Sequence, residues 1–537
     1  MKNKIIRSAT ILGVASSMLI VAPSCTKDLD RTPTYDLDSN AVYKDAAGYL
    51  TVAAKVYSGF AVTGPSGPDA SSGDILGIDQ GTSDYVRQLW SAQELTTDEA
   101  VIQWGDPGVQ DWHNMNWTSS GVLIRGLYSR IFYEVTLCNG FLAESTDEKL
   151  SARGISGADL TNVKALRAEV RFLRALAYYH AMDLYGNVPF ATEANGIGGT
   201  TPPKQIKRAD LFAFVEAELK AIDADLLAPS LSSNQYARAN KAAAWALLAK
   251  MYLNAEVYTG TARYADCATY AQKVIDSNVY SLSPKYANLF RTDNNTSSEI
   301  IFPIAFDGTR TQTYGGTTFL THAAVSGTSD ANWDPSKYGI NGGWGGTRTT
   351  AKLYQQFPDT SVDTRAKFVT GGQTLDIASQ TQFTNGYVPI KFKNVSSTGV
   401  PGSNPTFVDT DYPMLRLADV YLMYAEAAVR SGGNLGQALT YVNLIRTRAF
   451  NNTSTGNITA ADLTTDFLLS ERGRELYWEG SRRTDLIRYK LFTGSDYLWP
   501  WKGGVAAGTS VPDYRNLFPI PAADLSVNPS LTQNPGY

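Results

Sequence analysis

The sequence predicts a mainly α-helical protein, in which tetratricopeptide-like helical pairs form a scaffold and a large loop-rich insertion carrying short strands lies upon it. Three observations carry that prediction. Apolar residues recur at alternating spacings of three and four in several separate segments, which is the period of a helix with one buried face. Two such segments, 417–431 and 435–450, are parted only by Gly432-Gly433-Asn434, a helix stop and turn that folds one helix back on the next. Between residues 288 and 413 the period vanishes into Gly, Thr, Ser and Asn with scattered aromatics, too long a stretch for a simple connection.

In chain order, a first helix over 46–58 is closed by Gly64-Pro65-Ser66-Gly67-Pro68. Trp90, Trp104, Trp112 and Trp117, set among Gly, Asp and Asn, predict an irregular aromatic-rich surface segment over 73–120. Of these, Trp112 and Trp117 are assigned to the core together with Trp245 and Trp478, while Trp90 and Trp333 stay open. Val163, Leu166, Val170, Leu173 and Ala177 share one face of a long helix ending near Gly186, and Leu211, Val215, Leu219, Ile222 and Leu226 share another. The stripe over 239–255 is Ala242, Trp245, Ala246, Ala249 and Leu253, small enough for helix backbones to approach closely, and a partner helix follows over 264–277. Residues 464–492 read as one long capping helix. Within the insertion, Glu299-Ile300-Ile301-Phe302-Pro303-Ile304 and Val388-Pro389-Ile390-Lys391-Phe392 read as short strands.

The N-terminus has its own logic. Lys2, Lys4 and Arg7 precede an apolar run over 9–22, and Cys25 follows the small residue Ser24, the order of a lipoprotein export signal. The run is too short to span a bilayer. This divides the chain into a signal over 1–24, a lipid tether and first helix over 25–60, helical repeats over 61–287, the insertion over 288–413 and C-terminal capping helices over 414–537, one domain overall. The alternative is an ordinary secretory signal with an incidental Cys25. Removing residues 1–24 takes the formal charge from −4 to −7, which argues against nucleic acid as a partner. Cys138 and Cys267 are too few for a disulfide framework and lack metal-ligand spacing.

Catalytic patterns are missing. Only His113, His180 and His322 could act as imidazole bases, His180 reads as a packed helix residue, and no GxSxG, HExxH or phosphate loop occurs. Glu471, Arg472, Arg474, Glu475, Glu479, Arg482, Arg483 and Asp485 form a dense charged cluster at helical spacing. Such pairs more often hold helices together than do chemistry. No enzyme activity is expected.

The run Leu469-Ser470-Glu471-Arg472-Gly473-Arg474-Glu475-Leu476-Tyr477-Trp478-Glu479-Gly480-Ser481-Arg482-Arg483-Thr484-Asp485-Leu486-Ile487-Arg488 closely resembles the C-terminal signature of the SusD/RagB family of outer-membrane lipoproteins. Phe518-Pro519-Ile520-Pro521, the terminal Asn534-Pro535-Gly536-Tyr537, Ala168-Glu169-Val170-Arg171-Phe172-Leu173-Arg174-Ala175-Leu176 and Trp501-Lys502-Gly503-Gly504 resemble it too, most closely its starch-binding branch. The resemblance implies a lipoprotein anchored through Cys25 on the extracellular side of the outer membrane. There it would capture oligosaccharide or polysaccharide as the lid of a SusC-like TonB-dependent transporter, with no cofactor required. Residue by residue, it implies aromatic contacts from Trp104, Tyr314 and Trp344, hydroxyl contacts from Arg87 and Asp106, and one ring of the family's arc replaced by Ile102. It also implies a structural calcium between Asp293-Asn294-Asn295 and Asp409-Thr410-Asp411, with Asn295, Asp409 and Asp411 as ligands. Two other readings stay open: a peptide cargo, as in the RagB branch, and a surface glycoside hydrolase.

Overall fold

The computed structural model describes residues 39–65, 67–68, 73–196, 201–328, 332–451 and 454–537; the signal segment, Cys25 and the tether to residue 38 lie outside the described residues. Helix α1 (Ala46–Ser58) starts on Asp45, whose carboxylate accepts the Gly48 N–H at 2.9 Å. It packs on α3 (Gly157–Tyr185), which pairs with α2 (Val122–Glu144). Helix α2 is absent from the sequence expectations although Leu127, Ile131, Val135, Cys138 and Leu142 are buried at helical spacing along it. Helix α4 (Arg208–Ala221) lies against α3 and ends before the expected Leu226. The pair α5 (Lys241–Leu253) and α6 (Tyr264–Asp276) meets across the small residues, with Ala242, Ala246 and Ala249 fully buried. Trp245 is only half-buried, at the edge of that seam, its indole N–H donating to Asp223 at 2.5 Å.

Across the insertion, α6 packs on α7 (Leu417–Ser431), and α7 on α8 (Leu435–Ala449), so helices distant in sequence form one continuous stack. The turn between α7 and α8 works as its residues suggest: Gly432 takes the left-handed conformation at φ 68°, and Asn434 caps α8 through the Gln437 N–H at 3.0 Å. The single long helix expected over 464–492 is instead two, α9 (Thr465–Leu476) and α10 (Arg482–Arg488). Tertiary contacts override the helical period. Trp478 adopts φ 66° to set its ring 5.4 Å from that of Trp90 in the core, the Lys391 ammonium binds the Tyr477 carbonyl, and the Gly480 N–H donates to Glu94 at 2.6 Å.

These helix ends carry a buried ionic lattice. Glu475 accepts from Arg365, Arg416 and Arg448 at 3.1, 2.7 and 2.5 Å. Arg416 continues to Glu299 and Glu479 at 2.8 and 2.6 Å, and Glu471 collects Arg365, Arg446 and Arg474 at 2.7, 2.8 and 2.6 Å. The charged cluster is structural: it ties α9 to α8 and to the strands beneath the insertion.

Short antiparallel strand pairs connect the insertion to the scaffold. β1 (Ala100–Ile102) pairs with β3 (Thr347–Thr349), and β2 (Ile300–Ile304) with β4 (Tyr412–Arg416). Only Val388–Pro389 of the second expected strand is extended. The insertion has a small core of its own around Trp333, Tyr338, Ile340 and Val408. Among the described residues no helix is long and apolar enough to cross a membrane.

Candidate functional site

The β1–β3 pairing brings Trp104 and Trp344 together from positions 240 residues apart. Beyond the last strand pair, Ile102 with Thr347, the Gln103 N–H donates to the Gly346 carbonyl at 3.0 Å, so Trp104 leaves β1 directly over Gly346. A Cβ on Gly346 would lie 2.7 Å from the indole; glycine there lets the ring rest on bare backbone. The Trp104 indole N–H donates to the Trp344 carbonyl at 3.3 Å, and the Gln110 amide donates to the carbonyls of both Ile102 and Trp104 at 2.8 Å.

Trp344 is held from behind. The His322 ring stacks on it at 4.7 Å and 22°, the His322 carbonyl accepts the Trp344 N–H at 2.9 Å, and His322 Nδ1 reaches the Gly342 carbonyl at 2.6 Å. Tyr314 is placed by Asp84, a buried carboxylate that caps the short helix Tyr85–Trp90 through the Arg87 N–H at 2.8 Å and also accepts from Thr313 and Gly316 at 3.0 Å each. A Cβ on Gly315 would strike that carboxylate. Burial pushes the Asp84 carboxyl above its ordinary range, against the pull of those donors.

Three half-exposed rings therefore stand in one row. Trp104 and Trp344 are 6.4 Å apart and tilted by 44°; Trp344 and Tyr314 are 6.1 Å apart and tilted by 65°; Phe407 backs Tyr314 at 5.4 Å. Successive planes turn, so the row is an arc and not a flat platform. Arg87 lies across its inner edge, its guanidinium 5.6 Å from the Trp104 ring and 4.8 Å from Phe319. Among the described residues that guanidinium has no hydrogen-bond acceptor. Burial lowers its pKa, and the charges of Asp84, Asp106 and Asp79 oppose that shift. Asp106 sits on the exposed turn after Trp104. An open cavity of about 450 Å³ adjoins Arg87 and Tyr314.

All five implied contact residues thus fall in one neighbourhood; the segment expected over 73–120 contributes Arg87, Trp104 and Asp106, but of its tryptophans only Trp104. Trp90, Trp112 and Trp117 are core, as are Trp333 and Trp478. Ile102, on the same strand face as Trp104, is 3% exposed and adds nothing to the arc. The implied calcium ligands do not fit a cation. The two loops do meet, but through the Asn294 amide and the Asp411 backbone, and Asn295 is exposed. Asp409 already accepts from Gly308 and from the amide and hydroxyl of Ser403, and Asp411 from Phe306 and the Tyr236 hydroxyl. Burial raises the Asp411 carboxyl to about 7. Among the described residues no group of three His, Cys, Asp or Glu side chains is placed to hold a metal. His180 Nδ1 is hydrogen-bonded to the Tyr85 hydroxyl at 2.8 Å and burial lowers its pKa to about 3, so it is a packed residue.

The family model described as SusD family matches residues 246–537, and a second, described as starch-binding and associating with the outer membrane, matches 82–253. The chain is 34% identical to the starch-binding protein SusD of Bacteroides thetaiotaomicron, with both chains covered in full. It belongs to the SusD family. The SusD-like protein P2 of Formosa agariphila is 27% identical over 73% of this chain and 78% of its own. Among solved structures, a SusD superfamily protein from Bacteroides thetaiotaomicron superposes with a TM-score of 0.70 at 20% identity, covering 91% of this chain and 100% of that one. Surface glycan-binding protein A from the same organism, in complex with laminarihexaose, gives 0.67 at 19% identity over 91% and 99%. These likenesses establish the SusD fold.

Within that fold the sequence reading missed the residues that aim the rings. Asp84 carried a legible signal, an acidic N-cap before Tyr85-Val86-Arg87. Gln110, His322 and Phe407 carried none, because each acts on a ring brought to it only by the tertiary fold.

Proposed function

We propose that this SusD-family chain is a non-catalytic, lipid-anchored protein of the outer cell surface, one that captures α-glucan oligosaccharides of the starch type and passes them to a SusC-like TonB-dependent transporter. The observation that carries the reading is the arc of Trp104, Trp344 and Tyr314 beside the Arg87 guanidinium, which has no acceptor among the described residues. A pyranose presents a C–H face that packs on an aromatic ring and a rim of hydroxyls that needs hydrogen-bond partners. Arg87 supplies donors on a guanidinium already stacked against Trp104 and Phe319, so little order is lost when they engage. A ribbon-like glycan would need coplanar rings, whereas planes turned by 44° and 65° suit a strand that curves, as α-linked glucans do. The name of the SusD relative points the same way, and so does the second family description for the membrane setting. Capture without chemistry is the reading that the glycan-binding names of the relatives support, and Asp84, the buried carboxylate behind Tyr314, is occupied by three protein donors.

The test is calorimetric titration of the purified protein with maltoheptaose and, separately, with cellohexaose. Binding of the first, its loss in Trp104→Ala/Trp344→Ala and no binding of the second are expected. Unchanged affinity in the double variant, shortened glycan products, or peptide retained through purification would each end the reading.

A further inference from the structure

The cavity beside the arc is walled by Thr63, Asp79, Gln80, Arg87, Thr313 and Tyr314. Its position is informative. It touches Arg87, next to Trp104 at one end of the ring row, and Tyr314 at the other end, yet neither Trp104 nor Trp344 forms part of its wall. It therefore runs alongside the row and does not prolong it. At about 450 Å³ it falls within the roughly 300–1,000 Å³ typical of small-molecule sites. The Thr63 hydroxyl already donates to Gln80 and the Thr313 hydroxyl to Asp84, so what the wall offers a sugar is the Asp79 carboxylate, the Arg87 guanidinium and the Tyr314 ring. Gly81 forms a bare floor between the last two charged groups, since a Cβ there would lie 3.2 Å from Asp79 Oδ1 and 3.3 Å from an Arg87 nitrogen. A donor and an acceptor flanking an open floor match a pair of neighbouring hydroxyls.

A glucan lying on the rings carries its hydroxymethyl groups along its edge. A linear chain has nothing longer than that group to send sideways, whereas a branch attached through the primary hydroxyl leaves the chain in that direction. We propose that this side pocket receives the first sugars of such a branch, so that the protein selects branched neutral glucans over linear ones. The inference rests on the reading of the arc as an α-glucan site. Neutrality follows from charge: Asp79, Asp84 and Asp106 lie around Arg87, which disfavours uronic or sulfated sugars.

The experiment compares β-cyclodextrin with maltosyl-β-cyclodextrin, identical rings that differ by one branch, titrated calorimetrically into the wild-type protein and into Asp79→Asn and Gly81→Leu. Asn keeps the Asp79 cap on Thr82, and Leu fills the pocket floor. The branched ligand should bind about tenfold more tightly to wild type, the worth of one or two added hydrogen bonds, and both variants should bring the two ligands close to parity. Equal wild-type affinities, or variants that weaken both ligands alike, would overturn the branch pocket and leave the arc intact. A protein that binds neither cyclodextrin refutes the α-glucan reading itself.

Discussion

Around Glu475 the charges are buried and paired, while around Trp344 the rings are partly bare and the Arg87 guanidinium has no acceptor among the described residues. Both regions are dense in residues that could do chemistry, and the charged one is the denser. What separates them is the number of protein partners each polar group already has. In the lattice, three arginines converge on Glu475 and three on Glu471, and both carboxylates are fully buried, so neither is open to a ligand. At the arc, Asp84 and the Nδ1 of His322 turn to protein partners that hold loops, while among the described residues the Arg87 guanidinium meets no acceptor. A site is recognised here by unfilled valence in a rigid frame, not by density of charge.

The largest effect expected from this contrast is on stability. Glu475→Ala leaves Arg365, Arg416 and Arg448 buried without their shared carboxylate, and removing one partner from a buried ionic group typically costs about 3–5 kcal/mol. Urea unfolding should show that loss, while calorimetry on the fraction still folded returns wild-type glycan affinity. Lost affinity at intact stability would mean that lattice and arc are not separate. Acid probes the same region without mutation. Against the upward push of burial, the surrounding arginines hold the Glu475 carboxyl down at about 2, and Arg488 and Arg430, each 2.7 Å from Glu426 on α7, do the same there, far below the ordinary 4.5. A depressed carboxyl stabilises the fold above its unfolded value and loses that contribution as pH falls through the folded one. Stability should therefore drop steeply between about pH 4.5 and pH 2, by up to about 3 kcal/mol for each such carboxyl. A flat profile across that window would show the lattice to be energetically idle.

The second effect belongs to the arc. Trp344→Ala removes the middle ring, and with it the apolar contact of one pyranose face. An affinity loss of about 10- to 100-fold follows if stacking plus burial contribute about 1.5–3 kcal/mol. The fold should lose less than in Glu475→Ala, because the indole is half-exposed and His322 remains anchored through Gly342. Stability loss exceeding that of the lattice variant would recast Trp344 as a core residue.

The sequence made the scaffold legible because its signals are local. The stripes of α3, α5 and α7 and the Gly432–Asn434 turn each lie within a few residues of one another, and their helices begin and end close to where spacing and breakers place them. The break at Trp478 was not legible, since what forces it is the core packing of Trp90 and the amide-to-carboxylate bond to Glu94 from far up the chain. The site divides in the same way. Trp104, Tyr314 and Trp344 were nameable by resemblance, but their tilt depends on Gly346, Gly315 and His322, whose roles exist only once β1 meets β3. The cation expectation meets a related obstacle: the spacing of Asp409 and Asp411 permits ligands, but the fold turns both carboxylates onto protein donors.

Gln110 gives the smallest effect and the sharpest test of whether the arc is held in place or merely present. Its amide spans the carbonyls of Ile102 and Trp104 with two 2.8 Å bonds and touches no ring, so its only leverage on a ligand is the aim of Trp104. Gln110→Ala should weaken maltoheptaose about fivefold, the worth of roughly one net hydrogen bond after water replaces part of what is lost. Gln110→Glu should do worse despite its similar shape, because a carboxylate brings only acceptors to two carbonyl oxygens. That order, Gln above Ala above Glu, tracked by tryptophan fluorescence as well as by affinity, is specific to a donor bridging two acceptors. If Glu matched Gln, the Trp104 loop would be held by its strand register with Thr347 and Gly346 alone.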